Sequence, residues 1–443
     1  MILGEEWENS VILQTFISIS RSGLFEQKNN FYLAQVIPFK AVRPSRDKVA
    51  LVASRPYEEY SLDELKFQLD NNPYSFLQII NPEYKFKKEI SGSARFQLIK
   101  NRYHEFKEEE IFIQDPQPCY YIYKSVSRDQ SFCGIIAGAS VADYEQNIIK
   151  RHEDTISNRE KMFKEYLKVV GFNTEPVLLT YPDNHHIEDI LTQKMNERPE
   201  YEFSSFNKDT HYIWIVNEPN LTSVIQREFE KMDSLYIADG HHRSASSWLL
   251  AKDMAENNPK HSGAEPYNFF MSYLIAESHL KMYEFNRMVT DLNGLSKKDF
   301  LMQLDTYFRI ENRRESLYRP DEKQHFSMYL DGEFYSLVLR KTAYNFTDSL
   351  SKIDPYILYS TVLKPILGIE DPKDDLRLAY LPGKNEPYQV KKAVDQGKYA
   401  VGFGMLPLTF REIKEVSDAE MIMPPKSTYI EPKLRSGLTI YEF

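Results

Sequence analysis

Short apolar runs, many alternating with polar residues, recur along this chain between stretches of helical spacing. Alternation over a few residues marks a strand; apolar residues three and four apart mark one face of a helix. On this basis residues 31–39, 49–53 and 74–80 are predicted strands, and 61–71 is a helix opened by a Ser61/Glu64 capping box. A charged amphipathic helix is expected over 93–110, then a hairpin of 119–126 against 131–136. Residues 142–170 read as one long helix, or two broken near His152. Strands over 175–181, 201–206 and 212–216 alternate with helices over 186–197 and 221–232. A short strand, 235–238, precedes a helix over 244–255 that carries Ala245, Trp248 and Leu249 on one face. Further on, 267–275 and 282–289 are strands, 297–307 is a helix, and 326–339 is a hairpin across Asp331-Gly332. The tail alternates helix (357–367), strand (376–381), helix (390–395) and strand (399–405). This mixture predicts an α+β protein, with mixed sheets, hairpins and packed helices rather than a regular doubly wound sheet. Three portions are expected: an appendage over 1–30, a core over 31–290, and a C-terminal α+β portion over 291–443 whose last loop returns to the site.

Composition narrows the class. A 443-residue chain with 42% hydrophobic content can bury a large core and suits two or three structural units. Its 30 Tyr and 27 Phe argue against disorder. A net charge of -10, from 55 basic and 65 acidic residues, weighs against a protein that coats nucleic acid. It leaves room for a small basic pocket. In the predicted hairpin Val126 faces Ser131 and Cys133 faces Lys124, so Cys119 lies on the order of 17 Å further along. No disulfide is expected, and a reducing cytoplasm fits. No run approaches the roughly 20 apolar residues of a membrane span. The start carries Glu5, Glu6 and Glu8 and lacks the basic region of a secretory signal; its strand-like residues 11–19 read as an appendage.

Candidate chemistry concentrates in Leu235-Tyr-Ile-Ala-Asp-Gly-His-His-Arg-Ser244. Gly240 permits a sharp turn, and Asp239 is expected to cap the helix that follows. The first N–H groups of a helix lack partners and its dipole is positive there, so the junction attracts anions, phosphate first among them. Arg243 in the first turn opposes the dipole and needs an anionic partner, which its planar fork suits. His241 and His242 are adjacent and would not chelate one metal ion as an i, i+4 pair does, so no metal site is expected. Arg151-His-Glu-Asp-Thr155 offers His152 or Glu153 as a general base. The loop 423–437 sets Lys426, Ser427, Thr428, Lys433 and Arg435 between prolines, a composition suited to phosphate oxygens. Arg43 is a further possible anion contact, and the doublet His185-His186 is given no role. Gly383-Lys384 lacks the rest of a P-loop, and Gly402-Phe-Gly404 lacks the third glycine of a dinucleotide loop. The Gly-x-Ser-x-Gly elbow of a hydrolase is missing too.

Several segments together resemble the bacterial and archaeal domain-of-unknown-function family 1015. They are Phe39-Lys-Ala-Val-Arg-Pro44, Asn72-Pro-Tyr-Ser-Phe-Leu77, Arg151-His-Glu-Asp-Thr155, Ile237-Ala-Asp-Gly-His-His-Arg243, Tyr267-Asn-Phe-Phe-Met271 and Met423-Pro-Pro-Lys-Ser-Thr428. Where such relatives carry Thr-His-Arg, this chain has Phe285-Asn-Arg287, which removes the histidine and leaves Arg287 available. The central motif also resembles the segment that opens a helix and binds nucleotide phosphates in the ParB/sulfiredoxin-like fold. Some members of that group are kinases of free serine, and family 1015 genes often stand beside serine-biosynthesis genes. The resemblance therefore implies ATP or ADP with Mg²⁺ and a nucleotide-dependent phosphotransferase whose favoured acceptor is free L-serine. In it Gly240, Arg243, Arg43, Lys426, Ser427 and Thr428 bind nucleotide, and Asp239, His241, His242 and Glu153 serve the chemistry. The rival readings are a ParB-like nucleotide-binding switch and a phosphoserine or other phosphoester hydrolase. The partners expected are a small substrate and a nucleotide, with no membrane; the oligomeric state is left open.

Overall fold

Alternation in the hairpin sends Tyr120 and Ile122 to one face of a sheet and Tyr121 and Tyr123 to the other, and both faces are buried. The computed structural model describes residues 34–86, 88–206, 208–384 and 388–443. The appendage expected over 1–30 lies outside the described residues. The nine-stranded sheet runs Ile149–Lys150, Leu235–Asp239, Val177–Tyr181, Phe269–Ala276, Ser131–Ser140, Tyr120–Val126, Thr210–Val216, Tyr201–Ser204, with Val36–Ile37 also on Ser131–Ser140. It is mixed: Leu235–Asp239 is parallel to Ile149–Lys150 and antiparallel to Val177–Tyr181. The hairpin has the expected register, Val126 opposite Ser131 and Cys133 opposite Lys124, and both cysteines are free.

One face of this sheet packs against the helices His185–Met195, Pro219–Phe229 and His241–Glu256 through Ile187, Ile225, Phe229 and Ala245. The other face is covered from far along the chain, by Ile413, Val416, Met423, Ile430, Leu438 and Tyr441. A second sheet of six antiparallel strands begins at Phe285–Val289 and contains the hairpin His325–Leu330/Glu333–Leu339. That hairpin turns on Asp331 and Gly332, both left-handed (φ 51° and 82°), as its Asp-Gly pair requires. The two sheets and their helices are α+β in class. None of the described helices is long and apolar enough to cross a membrane.

Several local predictions change. Residues 49–53 form the short helix Val49–Val52, and 74–80 form a turn leading to the helix Leu77–Ile80. Both are brief apolar runs, which periodicity alone cannot sort into strand or helix. The long helix of 142–170 is three pieces: Val141–Glu145 capped by Ser140, the strand Ile149–Lys150, and Ser157–Val170. The strand exists because residues 235–236 offer it a partner, which no local pattern reveals. The strand of 282–289 divides: Lys281–Tyr283 pairs with Tyr429–Glu431, and Phe285–Val289 enters the second sheet.

Candidate functional site

The strand Leu235–Asp239 loses register against its neighbour between Ile237 and Asp239. A bulge of this kind re-aims the end of a strand. Gly240 follows at φ 102° and ψ 29°, a left-handed conformation open to glycine. The helix begins at His241 rather than 244, so both histidines and Arg243 occupy its first turn. Gly240, not Asp239, is the cap residue, and among the described residues no side chain caps the helix. Two cations have captured the Asp239 carboxylate instead: Arg243 donates to it at 2.9 Å and the Lys433 ammonium lies 3.2 Å away. Charge-assisted contacts of this kind outcompete a neutral N–H. Arg243 folds back over Gly240 so closely that a Cβ there would lie 3.0 Å from its Nε. It also donates to the Pro176 carbonyl and lies 3.9 Å from Glu175. The anionic partner this cation needs is supplied within the protein.

His241 is buried, and its Nε2 accepts the backbone N–H of His152 at 3.5 Å. The proton is thereby assigned to Nδ1, which faces a Glu153 oxygen at 3.6 Å, an electrostatic contact rather than a hydrogen bond. His152 meets this ring edge-on at 4.6 Å. Burial draws the His152 imidazole down to about 4. Burial and the neighbouring His152 draw His241 well below its ordinary value. His242 is lowered as well, by partial burial and then by Arg159. All three rings are therefore neutral near pH 7, and of the three only His241 has a ring hydrogen bond among the described residues, the one from the His152 N–H. Both ring nitrogens of His152 and Nδ1 of His242 are buried without a partner among the described residues.

The two carboxylates of the site are pushed apart. Burial works against ionisation of Asp239, but Lys433 and Arg243 outweigh it and hold the group at about 2. Burial raises Glu153, against the pull of Lys426. The C-terminal loop is stitched to both sides of the junction. Met423 donates its N–H to the His152 carbonyl at 2.9 Å, and the Ser436 hydroxyl donates to Glu175 at 2.8 Å. Lys426 is exposed and left-handed (φ 54°), its ammonium 5.7 Å from the Phe285 ring. Ser427 is buried and its hydroxyl closes the loop on the Pro424 carbonyl at 2.6 Å; Thr428 is half-buried.

The fold thus brings Asp239, Gly240, His241, Arg243 and Glu153 to one junction, with the loop of Lys426 fastened beside it. Lys433 and Glu175 join them. Lys433 was visible only as one more cation of the Pro-rich loop, and Glu175 gave no signal beyond opening a strand. Arg43 stands apart. It is buried, ion-paired with Asp115 and Glu200 at 2.9 Å each, and bonded to Tyr201. No hydrogen bond or ion pair among the described residues ties it to the junction. Two cavities, of about 730 and 370 Å³, lie elsewhere, one beside Lys384 and Lys392 and one beside Asp183 and His279. Among the described residues no three His, Cys, Asp or Glu side chains converge as a metal cage. Both Asp239 oxygens face cations, so this carboxylate does not fit Mg²⁺.

The fold and this junction define an α+β protein with a charged strand-to-helix site braced by its own C-terminal loop. The chain belongs to the family described as "Protein of unknown function (DUF1015)", whose model matches residues 36–356, more than half its length. No curated protein matches. Similar solved structures include a conserved hypothetical protein from Pyrococcus furiosus (13% identity, TM-score 0.36, covering 69% of this chain and 94% of that one). A free serine kinase in complex with AMP has 12% identity and a TM-score of 0.35, over 69% and 91%. SbnI with a C-terminal truncation, from Staphylococcus aureus, has 12% identity and a TM-score of 0.37, over 69% and 87%. Likeness of this degree assigns neither ligand nor activity.

Proposed function

We propose that this chain is a nucleotide-dependent phosphotransferase that acts on a small metabolite, with free L-serine as the favoured acceptor and ATP or ADP as donor. The observation that carries the reading is the meeting of Arg243 and Lys433, from distant segments, at the N-terminus of a 16-residue helix whose side chains leave it uncapped. Phosphoryl transfer asks little covalent work of a protein; it needs positioning and stabilisation of spread negative charge. A phosphate oxygen at Gly240 would find unpartnered N–H groups and could draw the Arg243 fork away from Asp239. Glu153, raised by burial, suits the proton of an attacking hydroxyl, and Asp239, held at about 2, stays ionised and aligns the two cations. Neutral His241 turns its Nδ1 toward Glu153 at 3.6 Å. A cytoplasmic location belongs to this reading.

Calorimetric titration with ADP and ATP, followed by phosphorus NMR of each with L-serine, tests it. Saturable nucleotide binding and formation of O-phosphoserine are expected, and Arg243→Ala abolishes the binding while the circular dichroism spectrum stays unchanged. Absence of nucleotide binding by the wild type overturns the proposal. Phosphate release from phosphoserine without nucleotide would favour the hydrolase, and a gel shift at physiological salt the DNA-binding switch.

A further inference from the structure

Two arginines among the described residues are buried to more than nine-tenths, and they are treated oppositely. Arg43 is 7% exposed and lies between the carboxylates of Asp115 and Glu200. Arg287 is 2% exposed, and no carboxylate among the described residues forms an ion pair with it. Its guanidinium donates to the carbonyls of Phe285 and Lys426, the latter at 3.2 Å, and reaches the Met405 sulfur at 3.8 Å. The Tyr380 ring lies 5.3 Å away. These partners take up hydrogen bonds but bring no negative charge. An unneutralised buried cation is costly, and proteins ordinarily pair it. Burial accordingly lowers Arg287 to about 10. Lys426, whose carbonyl caps the guanidinium, is itself exposed, so only this loop backbone stands between the buried cation and the outside.

We propose that Arg287 is an oxyanion-binding residue whose missing negative charge is brought by the ligand, a carboxylate or phosphate that enters under Lys426 and replaces its carbonyl. The inference deepens the phosphotransferase reading, on which it rests for the identity of that ligand: the acceptor's carboxylate or the nucleotide's phosphate. Arg287 and Arg243 then hold two different oxyanions on either side of the same loop.

Wild type, Arg287→Met, Arg287→Lys and Arg243→Ala are titrated with ADP, inorganic phosphate, L-serine and L-serinamide, by thermal shift and calorimetry. Arg287→Met is expected to fold with an unchanged or higher Tm without ligand, since it removes an uncompensated charge. It should weaken one oxyanion probe by about tenfold or more, the range lost with a charged hydrogen bond. Loss for L-serine, with no binding of serinamide by the wild type, identifies the carboxylate; loss for ADP and phosphate identifies the phosphate. Should Arg287→Met not fold, Arg287→Lys serves, because an ammonium keeps the charge but not the paired bonds, and the same probe weakens. Arg287 variants that bind every probe within twofold of wild type overturn the inference and leave the Arg243 reading intact. Oxyanion binding that depends on Arg287, without any nucleotide binding, overturns the phosphotransferase reading alone. A wild type stabilised by none of the four overturns both.

Discussion

Arg243 and Asp239 have carboxylate and guanidinium partners already in place, and that changes what a ligand must do. An incoming phosphate competes with a 2.9 Å ion pair rather than meeting a free cation. The two carboxylates can be told apart by experiment. With Glu153→Gln, turnover should fall by about 10²-fold or more, the usual contribution of a general base, while ADP affinity stays near wild type. With Asp239→Asn, ADP should bind more tightly, because Arg243 and Lys433 lose their competing anion. Steady-state kinetics and calorimetry on the two variants check this; a loss of turnover in Asp239→Asn matching that of Glu153→Gln would reassign the base. At this scale the sequence named most of the cast. It did not reveal which cations pair with which carboxylates, because Lys433 and Glu175 are remote from the motif in the chain.

Among the elements, the strand-to-helix junction is the decisive one, and Gly240 is its pivot. At φ 102° any side chain is strained, and a Cβ would press on the Arg243 guanidinium at 3.0 Å. Gly240→Ala should therefore lower stability by about 1–3 kcal/mol. It should also weaken ADP binding by displacing Arg243, as urea denaturation and calorimetry on the same variant would measure. The hairpins and the Ser61 capping box were legible because their signals are local: a turn pair, or a hydroxyl three residues before a carboxylate. The three-residue shift in the helix start was not. His241 and His242 look like turn residues in isolation; in the structure both lie in the first turn of the helix, with His241 packed edge-on against His152.

The whole molecule places a pair of histidines, one from each side of the junction, where water does not reach them. A histidine whose folded value is depressed adds stability that is present above the unfolded value of about 6.5 and is lost as pH falls through the folded one. For His152, drawn down to about 4, the loss between these values amounts to about 3 kcal/mol. Urea midpoints measured from pH 7 to pH 4 should fall less steeply in His152→Gln than in wild type, with the remaining slope due to His241 and the acidic groups. Parallel slopes would show that His152 is not protonated on unfolding in that range.

By itself the sequence determined the α+β class, the hairpins, the family and the motif that holds Gly240 and Arg243. Each is encoded in residues close enough along the chain to be read together. The tertiary structure alone decided that residues 149–150 are a strand, that Lys433 and Arg243 share one carboxylate, and that Arg43 is neutralised while Arg287 is not. These depend on which distant segments share a boundary from which water is excluded, and the strength of a charge is set there rather than by its neighbours in sequence.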